Sequence, residues 1–299
     1  MDNDVAPPPL VQAAGPALAD TVAGLRAIVA QWRSRNERIA LVPTMGALHT
    51  GHLSLIARAR LLANRVIASI FVNPTQFAPG EDFERYPRSL DADIANLAEA
   101  GADAVFTPDI AAMYPDGFAT RVCMEGPARA GLEDRFRPDH FDGVATIVAK
   151  LHIIAQPDIA IYGEKDFQQL AVIRQMNRDL DLPVEIVGAP TVREDDGLAM
   201  SSRNLYLSGQ QRAAAPVLYA TLCDCRDRIL AGEAAAAVLA QGRERLAAAG
   251  FAIDYLELRE ASTLAPAAVD GRPLRLLTAA RIGATRLIDN IPVTSGPAR

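Results

Sequence analysis

The sequence predicts an α/β chain, a doubly wound parallel sheet followed by a smaller α+β unit. Three observations carry this. Short, near-continuous apolar runs at 39–42, 66–72, 104–106, 159–162 and 184–187 read as strands covered on both faces. Helical patterns separate these runs, so right-handed crossovers place neighbouring strands in parallel. After about Pro190 the pattern changes to long helices and then to alternating apolar and polar residues.

The 299 residues allow one large domain or two ordinary ones. Half are hydrophobic and 22% are charged, as a soluble chain with a sizeable core requires. A net charge of −6, from 30 basic and 36 acidic residues, argues against a broad nucleic-acid surface but leaves room for a local basic pocket. Cys123, Cys223 and Cys225 are odd in number and form no C-x-x-C, which points to a reducing, cytoplasmic setting. The most apolar segments, 61–72 and 143–162, are broken by Asn64 and Arg65, and by Lys150, His152, Gln156 and Asp158, so no membrane span is expected. The opening Met1-Asp2-Asn3-Asp4 is acidic where a signal peptide is basic. Residues 1–18, with Pro7-Pro8-Pro9, read as a disordered lead-in. Residues 19–190 form the first expected domain and 191–299 the second.

Taken in order, Asp20 or Thr21 caps a first helix whose buried stripe is Val22, Leu25, Ile28, Val29 and Trp32. The strand at 39–42 is expected to stop at Pro43, which has no N–H for a ladder. A helix with Leu53, Ile56, Ala57 and Leu61 on one face follows. The run 66–72 ends in the polar loop Asn73-Pro74-Thr75-Gln76-Phe77. Residues 81–88 are charged and irregular, and 91–100 is a helix. Residues 135–143 form a basic, aromatic loop before a helix through Val144, Ile147, Val148 and Leu151. The strand at 159–162 leads into Gly163-Glu164-Lys165-Asp166-Phe167-Gln168-Gln169-Leu170. Residues 191–207 are a polar loop, and Ser208 to Gln211 resembles a capping box for one helix to about Ala231. An Ala-rich helix spans about 233–249, and strands are expected at 253–258, 274–279 and 286–291.

Chemistry concentrates in the turns. In Met45-Gly46-Ala47-Leu48-His49-Thr50-Gly51-His52 a strand, glycines and a helix start make an anion site, because free N–H groups and the helix dipole favour negative charge. His49 and His52, three apart, can donate to one phosphate. The same pair also fits plain helix capping, or half a zinc site without a third ligand. The turns 43–52, 73–77 and 163–169 all stand at carboxyl ends of strands, the ligand-binding edge of such sheets. Met200-Ser201-Ser202-Arg203-Asn204 adds two hydroxyls and a guanidinium. Lys165 and Arg203 suit triphosphate oxygens as a point charge and a fork, although each alone also fits a solvated surface charge.

His49-Thr50-Gly51-His52 is similar to the H-x-G-H element of Rossmann-like nucleotidyl-transferring enzymes, and Met200 to Arg203 resembles their mobile phosphate-binding element. With Asn73 to Phe77, Tyr86-Pro87-Arg88, Gly163 to Leu170 and Asp195 to Asn204, the chain from about residue 20 to its end resembles the pantothenate synthetase (pantoate–β-alanine ligase) family. That resemblance implies ATP-dependent amide formation through a pantoyl adenylate, with Mg²⁺, releasing AMP and pyrophosphate. It implies ATP contacts from Met45, Gly46, Ala47, Leu48, His49, Thr50, Gly51, His52, Gly163, Glu164, Lys165, Asp166, Val192, Met200, Ser201, Ser202 and Arg203. His49, His52, Lys165, Ser201, Ser202 and Arg203 carry the catalytic contacts; His52 matches the proton donor, and Lys165 stabilises the pentavalent phosphorus. Gln76 and Gln169 match the pantoate-binding amides, Gln76 also serving β-alanine. A homodimer, no protein-held metal, no nucleic acid and no membrane are further implications. Two positions depart from the family pattern. Asp139 stands where the family has glycine in R-P-x-H-F, which alters the loop if that residue needs a positive φ. Ala92 separates Asp91 from Asp93, acids whose expected part is a magnesium or water contact.

Overall fold

The structure, a computed structural model, describes residues 15–77, 80, 83–267 and 272–294. Strand β1 (Ala17–Ala19) leads to helix α1 (Val22–Arg33), where the Thr21 hydroxyl accepts from Gly24 N at 3.1 Å and Leu25, Val29 and Trp32 are buried. Strand β2 (Ile39–Thr44), helix α2 (Thr50–Arg60), strand β3 (Arg65–Ile70), helix α3 (Leu90–Ala100) and strand β4 (Ala104–Phe106) follow. The short helix α4 (Ile110–Met113), helix α5 (His140–Ala155), strand β5 (Ile159–Gly163), helix α6 (Phe167–Asp179) and strand β6 (Glu185–Ala189) complete the first unit. Every pairing in its sheet is parallel, in the order β1-β4-β3-β2-β5-β6.

That order decides where a ligand can sit. The chain leaves β2 towards β3 on one side and returns later to place β5 on the other. The carboxyl ends of β2 and β5 therefore flank the switch point, where the two crossovers diverge and open a crevice. Leu41, Ile67 and Phe106 pack on one face of the sheet with α1 and α5. Ala40, Val42 and Ala68 pack on the other with Leu55 and Ile56 of α2 and Leu97 of α3.

The second unit holds α7 (Gly209–Ala214), α8 (Val217–Leu230) and α9 (Ala235–Ala248) against an antiparallel sheet, β7 (Phe251–Glu260), β8 (Leu274–Ile282) and β9 (Thr285–Val293). Leu218, Leu222, Val238 and Leu246 meet Leu256, Leu276 and Ile291 in its core. A buried ion pair joins the units: Arg286 Nη1 and Nη2 reach Glu133 Oε2 and Oε1 at 2.6 and 2.8 Å, and Tyr255 donates to Glu133 Oε1 at 2.8 Å.

Several expectations are corrected. Residues 17–18, assigned to the lead-in, begin a strand that pairs with β4; residues 1–14 lie outside the described residues. Pro43 does not stop β2. The Thr44 carbonyl faces β3, accepting from Phe71 N at 3.1 Å, so Pro43 turns its nitrogen towards β5, where pairing already ends at Leu41. The buried face of α2 is Leu55, Ile56 and Ala59; Leu61 is exposed and Leu53 half-buried, because the helix starts at Thr50 and presents the 52/55/56/59 edge to the sheet. The single helix expected from 208 divides at Ala215 and Pro216, although the capping box at Ser208 and Gln211 is present. Helix α5 starts at His140, shortening the 135–143 loop, and Asp139 has φ −101°, so no glycine conformation is required there. Part of the irregular 81–88 stretch, residues 81 and 82, lies outside the described residues; Phe83 to Arg88 form neither helix nor strand.

Candidate active site

The turn after β2 folds around its own side chains. His49 is the N-cap of α2 and His52 its third residue. His49 Nδ1 accepts from Gly51 N at 3.1 Å, and His52 Nδ1 accepts from His49 N at 3.4 Å, a capping box built from two imidazoles. With both Nδ1 atoms accepting, each neutral ring carries its proton on Nε2. Burial, then the charges of His49 and Lys165, push the His52 pKa down to about 3. Burial and Lys165 lower that of His49 as well. The two rings lie tilted against each other, with centroids 4.1 Å apart.

Most of the backbone N–H groups expected to be free for an anion are taken. Ala47 N and Leu48 N donate to Asp93 Oδ2 and Oδ1 at 2.9 and 2.8 Å, and His52 N and Leu53 N return to the His49 carbonyl. Asp93 is buried at 2% exposure, and its charge is spent on a turn where Gly46 and Ala47 hold φ of 84° and 51°. That accounts for the acid differently from a magnesium or water contact. An anion here meets Nε2–H groups and the helix dipole instead of a backbone cradle.

One cavity of about 220 Å³ at the switch point is lined by Met45, His49, Gly51, His52, Gln76, Gly163, Lys165, Asp166, Gln169, Val192, Met200, Ser201, Ser202 and Arg203. A larger cleft of about 650 Å³ between the units shares Lys165, Asp166, Gln169, Ser201 and Arg203 with it. The remaining residues expected to touch nucleotide do not line the cavity. Ala47 and Leu48 face Asp93, Thr50 is exposed, Gly46 borders a separate pocket behind the turn, and Glu164 pairs with Arg275 at 2.8 Å.

Each polar wall has a visible support. Gln76 is buried; Asn73 Nδ2 donates to its Oε1 at 3.0 Å, so its own Nε2 points to Met45 Sδ at 3.2 Å. Its carbonyl receives His140 Nδ1 at 2.8 Å and Arg137 Nη2 at 3.1 Å, which gives those two residues of the 135–143 loop a place in the site. Of the adjacent glutamines, Gln168 turns away to Glu133 N, Pro127 O and Asp134 Oδ1, whereas Gln169 lines the cavity. Lys165 Nζ lies 3.8 Å from Asp166 Oδ2, a long contact, and its charge is near enough to lower the pKa of both imidazoles. Residues 192–200 form a tight hairpin in which Met200 N donates to the Val192 carbonyl at 3.0 Å, which ties Val192 to the start of the Ser-Ser-Arg segment. Ser201 caps the following turn through Arg203 N at 3.2 Å. Val144, Ile147, Val148 and Leu151 of α5 give the cavity its apolar wall.

Asn73, Asp93 and Arg275 were not assigned these supporting contacts from sequence, nor were Asp289, which pairs with Arg193, and Asn290, which donates to the Glu164 and Lys165 carbonyls. The one available signal was polar residues at consecutive positions, 289 and 290, inside a strand-like run, where alternation allows only one solvent face.

A family model described as Pantoate-beta-alanine ligase matches residues 17–292. The chain is 59% identical over 280 residues to "Pantothenate synthetase 2" of Bradyrhizobium diazoefficiens, covering 93% of this chain and 99% of that protein. It is 56% identical over 280 residues to a pantothenate synthetase of Rhodopseudomonas palustris, with the same coverage of 93% and 99%. The crystal structure of the pantothenate synthetase of Thermus thermophilus aligns with TM-score 0.87 at 51% identity, over 93% of this chain and 100% of that one. The ligase of Francisella tularensis, solved with beta-gamma ATP and beta-alanine, aligns with TM-score 0.79 at 34% identity, over 95% and 100%.

Proposed function

Because the chain belongs to the pantoate–β-alanine ligase family and is therefore an enzyme of the ligase class, we propose that it joins pantoate to β-alanine by spending ATP through a pantoyl adenylate. A carboxylate is a poor electrophile, so the pantoate carboxylate first attacks the α-phosphate of ATP and pyrophosphate leaves. The β-alanine amine then attacks the activated carbonyl, the amide forms, and AMP departs with the bonding electrons. The first step asks for positioning and charge stabilisation without a protein nucleophile.

The observation that carries this reading is the convergence of Gln76, Gln169, His49, His52 and Lys165 on one cavity from three turns at strand ends. The two amides offer donors and acceptors to the pantoate hydroxyl and carboxylate without adding charge, and the apolar wall of α5 suits its methyl groups. The neutral imidazoles donate Nε2–H to phosphate oxygens, and the Lys165 ammonium takes up charge developing on phosphorus. Val192 serves adenine, and Met200 to Arg203 close on the triphosphate. The bound ATP and β-alanine of the Francisella relative support the same substrates here. Mg²⁺ enters with ATP, whose phosphates offer the hard oxygen ligands this ion prefers.

The test is AMP release with each substrate omitted in turn. AMP is expected only when pantoate, β-alanine and ATP are all present; pyrophosphate release without AMP would instead describe a transferase that stops at the nucleotidyl ester. The reading also carries a cytoplasmic homodimer, checked by sedimentation at micromolar concentration, where a monomer would count against it.

A further inference from the structure

The turn that carries Lys165 is secured from the other unit. Residues Glu164–Asp166 form a single 3₁₀ turn with no side-chain cap, and α6 begins after Asp166 again without one. A junction of this kind is fixed in place by bonds from outside it. Asn290 of β9 supplies them: its Nδ2 donates to the Glu164 carbonyl at 2.9 Å and to the Lys165 carbonyl at 2.8 Å. Its Oδ1 accepts from Arg275 Nε at 2.6 Å, which fixes the amide orientation. Arg275, on the neighbouring β8, lies 3.7 Å over the Phe167 ring and donates Nη2 to Glu164 Oε2 at 2.8 Å. Both donors and the acceptor of the Asn290 side chain are thus engaged, and Asn290 is buried at 3% exposure. One residue earlier, Asp289 accepts from Arg193 Nη1 and Nη2 at 2.7 and 2.9 Å, holding the hairpin that leads to Met200. Adjacent residues of one strand therefore grip both segments read above as phosphate-binding.

We propose that Asn290, oriented by Arg275, is a positioning residue for the Lys165 ammonium. Asn290 borders the larger cleft, but every polar atom of its side chain is engaged by protein groups, so it acts through the turn. It sets the height of the 164–167 turn, and a displacement of about 1 Å in a charge-stabilising group is enough to cost on the order of 10²-fold in rate. The inference rests on the phosphate-binding reading of Lys165, and the experiment separates the two.

Asn290→Ala and Asn290→Ser are each made in the parent and in Lys165→Ala, with kcat and KM followed by AMP release and folding by thermal midpoint. Lys165→Ala alone tests the underlying reading; unchanged kcat there removes both. Given a loss, Asn290→Ala is expected to lower kcat at least tenfold in the parent, to leave KM for β-alanine within threefold, and to change kcat less than twofold when Lys165 is already absent. Asn290→Ser, which keeps one donor, is expected to fall between. An equal fold-loss in both backgrounds, or full activity of Asn290→Ala, overturns the proposal. If Asn290→Ala does not fold, the same cross with Asn290→Ser and Arg275→Lys decides by the same criteria.

Discussion

His49 and His52 cap one helix reciprocally, each presenting Nδ1 to a backbone N–H, with ring centroids 4.1 Å apart. The capping reading and the phosphate reading of the pair are therefore not rivals. Accepting at Nδ1 forces the proton onto Nε2, so the structural bond selects the tautomer a phosphate needs. His52→Ala is expected to lose roughly 1 kcal/mol of stability with the cap. It should also lose about 10²-fold or more in kcat with the donor. Denaturant titration and AMP release measure the two separately; a stability loss with full activity would leave only the cap.

Lys165→Ala is expected to lower kcat on the order of 10²–10³, with KM for β-alanine little changed. Steady-state assays varying each substrate read this out. A drop below tenfold would mean the ammonium does not stabilise the reacting phosphorus.

Asp93 determines the shape of the 45–48 turn. Asp93→Ala leaves two part-buried N–H donors without their acceptor, each bond being worth roughly 1.5–3 kcal/mol. We expect kcat/KM for ATP to fall at least tenfold and Asp93→Asn, with a single acceptor oxygen, to recover part of it. Added Mg²⁺ should restore neither variant; rescue by magnesium would make this acid a metal contact after all.

Gly143 allows α5 to approach the loop that bears Gln76. A Cβ at 143 would lie 2.3 Å from the Thr75 carbonyl oxygen, a backbone atom that cannot swing aside. Gly143→Ala is expected to raise KM for pantoate about tenfold, while equilibrium ATP binding, measured by calorimetry, stays within twofold. Parent-like pantoate kinetics would show that the loop relaxes without moving Gln76.

Stability should fall on acidification. Burial pushes His52 down to about 3 and His152, beneath Tyr162, to about 4, from an ordinary value of 6.5. Above 6.5 both are neutral in either state and cost nothing. Below it the unfolded chain binds protons that the folded chain refuses, so each group removes about 1.4 kcal/mol per pH unit until its folded value is reached. Denaturation midpoints between pH 6.5 and 4.5 test this, and His152→Phe should make the histidine-linked slope shallower, leaving the shares of His49 and His52. An unchanged slope in that variant would contradict the buried neutral state of His152.

The extent to which the site could be read from sequence divides along chemical lines. The 43–52 and 163–169 turns were legible because each combines a strand end, glycine and charged or imidazole side chains within a few residues. The choice of Gln169 over Gln168 came from the family resemblance and not from local pattern, since the two differ only in which side of α6 faces the cavity. Leu61 was misplaced on the buried face of α2 because an apolar residue at a helix end satisfies periodicity whether or not anything covers it.

By itself the sequence determined the alternation of strands and helices, the parallel sheet and the polar turns at its edge, because these follow from local periodicity and from residues that break it. Only the tertiary structure decided what holds those turns in place. Asp93 reaches Ala47 and Leu48 across 45 residues or more, and Asn290 reaches Glu164 across 126. Such bonds leave no trace in local pattern, since a buried carboxylate or amide is accounted for only by the distant backbone groups that folding brings to it.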